Sequence, residues 1–206
     1  MSALMQPWEI ENEAFAKGYT AVCGVDEAGA GPLAGPVYAA AVILPPGLLI
    51  DGLNDSKKLS AKKREQLFDS ICADALAYGI ASASVEEIEE INILNARLLA
   101  MERAIAALPT AADFALIDGN CNRGISCPNA VVVGGDGKSA SIAAASVLAK
   151  VSRDRYVTQV LDRDYPQYQF ARHKGYGTKL HYAMLEQYGV SPVHRPSFLK
   201  KWEARR

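Results

Sequence analysis

The 206-residue chain predicts an α/β domain with a mixed central sheet flanked by helices. Three observations carry that expectation. Short apolar runs bounded by Gly and Pro crowd the first part of the chain, and longer stretches with apolar residues at three- and four-residue steps come later. Half of the residues are apolar and 22% are charged, enough for a core of its own at this length.

Ala21–Asp26 is a short apolar run ending in carboxylates, and Val37–Leu44, held between Pro36 and Pro45-Pro46, reads as a buried strand. A Gly/Pro-rich connection joins them. Ser60 can cap a helix over 61–78, with Leu67, Ile71, Ala75 and Leu76 on one stripe. A third strand is expected over Tyr78–Ser84, and a long amphipathic helix over Val85–Leu108 through Ile88, Ile91, Leu94, Leu98, Met101 and Ile105. Asp113–Asp118 and Ala130–Asp136 are two further apolar strands that end in Asp. A helix over Ser139–Tyr165 starts with small residues that let another backbone pack closely. Helices over Thr178–Tyr188 and Phe198–Arg206 complete the list, and a boundary near Pro166 divides a core, 1–165, from a small helical C-terminal part, 166–206.

No apolar run approaches the ~20 residues of a membrane helix, and the first residues lack the basic start and apolar centre of a signal peptide. A cytoplasmic protein with no membrane partner is expected. Cys23, Cys72, Cys121 and Cys127 form no C-x-x-C pair, and the three histidines have no zinc-ligand spacing. Cys23 and Cys72 are expected as reduced core residues. The net charge of -1 hides a segregation: residues 1–149 carry -8 and residues 150–206 carry +7, which points to a polyanionic partner for the C-terminal part.

Asp26, Glu27, Asp118 and Asp136 all fall at strand ends. Adjacent strands of one sheet would bring them together, and such a cluster makes physical sense chiefly when divalent cations neutralise it. Oxygen donors without Cys or His favour magnesium or manganese over zinc. Two such ions are suited to phosphodiester hydrolysis. Each of Asp118-Gly-Asn and Asp136-Gly is also an ordinary turn sequence. The adjacent pair Asp26-Glu27 has no such simple fold role. Gly29-Ala-Gly31-Pro-Leu-Ala34, with Asp51 downstream, fits a loose dinucleotide-binding pattern, but a strand and not a helix is expected after it.

Gly24-Val-Asp-Glu-Ala-Gly-Ala-Gly-Pro-Leu-Ala-Gly-Pro-Val37, Leu53-Asn-Asp-Ser-Lys-Lys-Leu59, Leu116-Ile-Asp-Gly-Asn120, Gly135-Asp136, the run Ile142–Asp154 and His173-Lys-Gly-Tyr176 together resemble bacterial ribonuclease HII. Order and spacing match from about residue 20 to 200. The resemblance implies a ribonuclease H-like fold and a metal-dependent endonuclease, expected to be a monomer. Such an enzyme cuts the RNA strand of RNA/DNA hybrids and nicks duplex DNA 5′ of an embedded ribonucleotide, leaving a 3′-hydroxyl and a 5′-phosphate.

By the same resemblance, Asp26, Glu27, Asp118 and Asp136 hold two Mg2+ or Mn2+ ions, Tyr176 packs against the sugar beside the ribonucleotide, and Gly29, Ala30 and Gly31 sense its 2′-hydroxyl. Lys57, Lys58, Ser146, Lys150, Arg172 and Lys174 are candidates for phosphate contacts, and His173 is read as a surface histidine with a weaker claim. A replication-clamp partner is not identified; Phe198–Trp202 is expected to pack on the core. Ala30 and Gly134 depart from the family, which has arginine and lysine there. A second expectation follows from them, a junction-binding protein with impaired turnover.

Overall fold

The structure is a computed structural model describing residues 8–53 and 59–204. Its five-stranded sheet has the order β3-β2-β1-β4-β5, from β1 (Val22–Ala28), β2 (Val37–Ile43), β3 (Ala77–Ala83), β4 (Phe114–Asp118) and β5 (Asn129–Val132). β2 runs antiparallel to both β1 and β3, while β1, β4 and β5 are parallel. The sheet is therefore mixed, as expected, and the carboxyl ends of three neighbouring strands share one edge.

Strand periodicity divides β1 between two cores. Cys23 and Val25 pack with Ile88, Leu98 and Met101 of helix α3 (Val85–Ala106). Ala28 packs on the opposite face with Ala144, Ala145 and Leu148 of α4 (Ala140–Tyr156), and α2 (Ala61–Asp74) adds Leu67 and Ile71 there. The small residues that open α4 serve the close approach expected of them. A Cβ on Gly24 would lie 2.1 Å from the Ser141 carbonyl carbon, so β1 and α4 meet backbone to backbone at that point.

Helix starts follow local chemistry. The Ser60 hydroxyl accepts from Lys63 N at 3.2 Å, and Ser84 with Glu87 forms a reciprocal capping box at the head of α3. Helix α1 (Glu9–Ala16) has no counterpart among the expected elements. Its Glu11 is buried and accepts from Ser139 Oγ (2.6 Å), Ser141 Oγ (2.7 Å) and Ser141 N (3.0 Å), tying α1 to the first turn of α4.

Several expectations are corrected. Helix α2 stops at Asp74, because Ala75 turns extended and Leu76 N donates to Ile43 O, leading the chain into β3; Leu76 is exposed, not part of the stripe. Leu94 is also exposed. α3 is broken at Asn92 (φ 67°), whose side chain accepts from Leu94 N and Asn95 N and restarts the helix on a shifted face. β5 ends at Val132, so Asp136 lies in a separate 3-10 turn, Gly135–Gly137. The helix expected over Ser139–Tyr165 is present from Ala140 to Asp164, with a π-helical stretch, Val157–Leu161, between α4 and the short α5 (Asp162–Asp164). All four cysteines are free; Cys23 is buried and Cys72 only partly so.

Beyond α5 come α6 (Phe170–His173), α7 (Lys179–Tyr188) and α8 (Pro196–Glu203). They pack with Leu33, Ala34, Val157 and Leu161, and an isolated bridge pairs Ala34 with His194. Phe198 and Trp202 pack against this core, and Leu199 is fully buried within it.

His173, expected on the surface, is buried here. Its ring stacks on His181 at 4.2 Å between centroids, and His181 Nε2 stands 3.0 Å from His194 Nε2. Burial pushes His181 and His194 down to about 4, aided at His181 by the neighbouring imidazoles. Between pH 6.5 and 4 the unfolded chain therefore binds protons that the folded cluster refuses, so stability falls as pH falls through that window. Urea melts should show the midpoint declining from pH 7 to 4, with His181→Phe flattening part of that decline.

Candidate metal and nucleic-acid site

The register of the parallel pair sets Val25 beside Ile117, which carries Asp26 and Asp118 to the same sheet edge. Asp26 and Glu27 are consecutive strand residues, so their side chains leave opposite faces. Asp26 meets α4, where the Ser146 hydroxyl donates to it, and its Oδ1 also accepts from Glu27 N at 2.7 Å. Glu27 meets α3, where Arg97 Nη1 lies 3.3 Å from its Oε1. Asp118 Oδ1 accepts from Gly135 N at 2.7 Å, which pins the turn carrying Asp136 to the end of β4. The other side of that turn is fastened by Ser139 N donating to Gly135 O, and Ser139 is itself held by Glu11.

The acids feel one another. Burial first, then the charges of Glu27 and Asp118, hold the Asp26 carboxyl well above the usual carboxylate range. Glu27 is also raised, chiefly by burial, with Asp118 adding to the shift and Arg97 opposing it. A buried group of like charges is unfavourable alone and favourable around a cation. Hard oxygen donors of this kind fit Mg2+ or Mn2+. In this conformation no three acidic, His or Cys side chains among the described residues form a closed ligand set. Asp26, Glu27 and Asp118 approach from different sides of the sheet edge, and Arg97 and Gly135 N each hold one of them by an oxygen.

The glycine-rich loop is anchored from below by two arginines that the sequence did not single out. Arg195 is fully buried and donates to Gly29 O (2.8 Å), Ala30 O (3.1 Å) and Gly35 O (2.7 Å from Nη2). Arg153, equally buried, donates to Ala34 O, Pro36 O and Lys174 O. Gly29 has φ +101°, and a Cβ there would stand 2.1 Å from Arg153 Nε. β2 follows the loop directly, which removes the dinucleotide-binding pattern's required helix.

Tyr176 is 42% exposed and stands at the rim of this loop, 4.0 Å from where a Cβ on Gly31 would be. Lys150 Nζ and the Arg153 guanidinium both lie 5.8 Å from its ring centroid. Lys150 is paired with Asp154 at 2.6 Å, and Lys174 Nζ donates to Ala171 O. Arg172 is exposed and bonded to Gln169. Ser146 is not placed for a phosphate contact: it is buried and committed to Asp26. Lys57 and Lys58 lie outside the described residues.

The ribonuclease HII family model matches residues 23–201, nearly the whole described chain. The protein belongs to the ribonuclease HII family. It is 59% identical over 177 residues to ribonuclease HII of Dechloromonas aromatica, covering 86% of this chain and 90% of the relative. Against ribonuclease HII of Clostridioides difficile it is 54% identical over 190 residues, covering 92% of this chain and 74% of the relative. The crystal structure of ribonuclease H2 from Pyrococcus horikoshii superposes with a TM-score of 0.73 at 25% identity, over 90% of this chain and 98% of that one. The fold is thus ribonuclease H-like. With the family model matched over residues 23–201 and relatives this close, the expectation of a binding module with impaired turnover finds no support. Gly134 takes a left-handed conformation, φ 65°, with open space around it.

Proposed function

We propose that Asp26, Glu27, Asp118 and Asp136 hold two divalent ions, Mg2+ or Mn2+, at the sheet edge. As a ribonuclease HII, the protein is a metal-dependent endonuclease that hydrolyses the RNA strand of RNA/DNA hybrids. It nicks DNA 5′ of an embedded ribonucleotide, giving a 3′-hydroxyl and a 5′-phosphate. The observation that carries the metal reading is the parallel register of β1 and β4, which sets Asp26, Glu27 and Asp118 at one sheet edge, buried or half-buried. A relative of the same fold, a ribonuclease HIII, has been solved in complex with Mn2+.

Held by Asp26, Glu27, Asp118 and Asp136, two such ions would supply a nucleophilic water at neutral pH and charge stabilisation for the leaving oxygen. The chain's own part is positional. Ser146 and Glu27 N orient Asp26, Gly135 N orients Asp118, and burial on the sheet keeps water and competing ligands from the inner oxygens. Arg195 occupies the carbonyls of Gly29 and Ala30, and a trans peptide points its N–H the other way, so the loop's N–H edge is the side left to meet a 2′-hydroxyl. Tyr176 beside Gly31 supplies a ring on which a neighbouring sugar can rest. Lys150, Arg172 and Lys174 extend a positive surface from Tyr176 along the C-terminal part, suited to sequence-independent phosphate contact.

We read residues 1–165 as the catalytic core and 166–206 as a helical region braced on it through Arg195 and the loop. Four unpaired cysteines suit a reducing compartment, the cytoplasm. The test is incubation with a labelled RNA/DNA hybrid and an all-DNA duplex in Mg2+, Mn2+ and EDTA. The RNA strand alone should be cut, and only with the divalent ion; cutting in EDTA, or of the all-DNA duplex, would overturn the reading.

A further inference from the structure

We infer that Arg97 is a substrate contact, a guanidinium that engages a phosphate oxygen of the nucleic-acid strand lying over the acid cluster. The inference rests on the nuclease reading above and deepens it.

Arginines in this fold divide by how their donors are used. Arg153 and Arg195 each spend Nε and both Nη atoms on backbone carbonyls. Arg103, on the same helix as Arg97, makes a two-pronged pair with Glu87 at 2.9 and 2.6 Å and also donates to Ser82 O. Those three are structural. Arg97 differs: its contact with Glu27 is single and, at 3.3 Å, long for a charge-assisted bond. Its Nε is buried with no hydrogen-bond partner. A buried donor left unmade is costly, and a guanidinium presents a fork that matches phosphate.

Placement agrees. The side chain keeps 21% of its surface exposed, though none of it at the closed-off Nε, so a ligand reaches it through its remaining atoms. It stands at the one edge where Asp26, Glu27 and Asp118 gather, where unrelieved negative charge would repel a phosphodiester. The segment that carries it is re-aimed by the break at Asn92, a non-glycine residue at φ 67°. Backbone strain of this sort is retained where surrounding structure demands it, commonly near a working site. Once Glu27's charge is met by a cation, its claim on Arg97 weakens and the fork is available to the strand.

The test is fluorescence anisotropy of an RNA/DNA hybrid with wild type, Arg97→Met and Arg97→Lys, over a salt series in Ca2+, which takes oxygen donors in a looser geometry than Mg2+. Gels confirm that the RNA strand stays intact. Arg97→Met should weaken binding about tenfold or more and lower the salt slope by about one, while Arg97→Lys keeps the slope. A purely structural role would shift the melting temperature and leave the slope unchanged. If Arg97→Met does not fold, Arg97→Gln reads the same slope. Wild-type affinity and slope in the neutral variant would overturn the role of Arg97. A wild-type protein that neither binds the hybrid nor cuts it in Mg2+ would overturn the nuclease reading itself.

Discussion

Asp26→Asn is expected to lower single-turnover cleavage by about 10^3-fold or more while leaving the fold intact or slightly firmer. The effect on rate follows from the chemistry of the site. A ligand that helps hold a catalytic cation supports several kcal/mol of transition-state stabilisation, and about 4 kcal/mol corresponds to three decades in rate. The effect on stability has the opposite sign. Burial, and after it the charges of Glu27 and Asp118, push the Asp26 carboxyl pKa up, so metal-free protein bears the desolvation and the repulsion as a standing cost. Asparagine keeps an oxygen to accept from Glu27 N and Ser146 and removes the charge. Melting in EDTA should therefore show an unchanged or higher midpoint beside the lost activity. A fall in both would mean that Asp26 acts as a packing residue, and wild-type cleavage would remove it from the site.

Arg195→Met should destabilise the protein by about 3–5 kcal/mol. The methionine fills the stem's volume beside Phe198 but leaves the carbonyls of Gly29, Ala30 and Gly35 without their donor. Each orphaned buried acceptor costs about 1–3 kcal/mol. For a chain of this length the melting temperature should drop by roughly 10 °C. Arg195→Lys should fall between, since one ammonium cannot span three carbonyls in a fixed fork. Activity on a lone ribonucleotide should suffer more than stability alone explains, because the same carbonyls hold the loop that faces the 2′-hydroxyl. An Arg195→Met protein that melts like wild type would show that the loop supports itself.

The acids were legible in the sequence because apolar runs that end in Asp or Glu are short-range patterns, and Asp26, Glu27 and Asp118 lie at strand ends accordingly. Asp136 does not end a strand. β5 ends at Val132, and a separate turn fastened to Asp118 brings Asp136 to the edge. The helix register downstream of Asn92 was not legible, since a left-handed residue inside an apolar repeat leaves the repeat's spelling unchanged; beyond it Leu94 is exposed and Arg97 faces Glu27. The buried arginines left no signal either. Their partners are backbone carbonyls, all but Lys174 O more than a hundred residues away, which no side-chain pattern records. The same holds for the histidines, drawn from three separate segments into one stack. For Glu11 a cue existed in hindsight, an acidic residue four positions after Pro7 in an amphipathic start, but its serine partners lie 128 and 130 residues on.

The most direct test of the central claim, that four acids on this sheet edge cut next to a ribonucleotide with divalent metal, is nicking of a labelled DNA duplex carrying one ribonucleotide. Wild type and Asp136→Asn are compared in Mg2+ and in Mn2+, with an all-DNA duplex alongside. The account predicts one cut on the 5′ side of the ribonucleotide by the wild type, none in the all-DNA duplex, and loss of the cut in Asp136→Asn. Cutting by Asp136→Asn at the wild-type rate and position would contradict it.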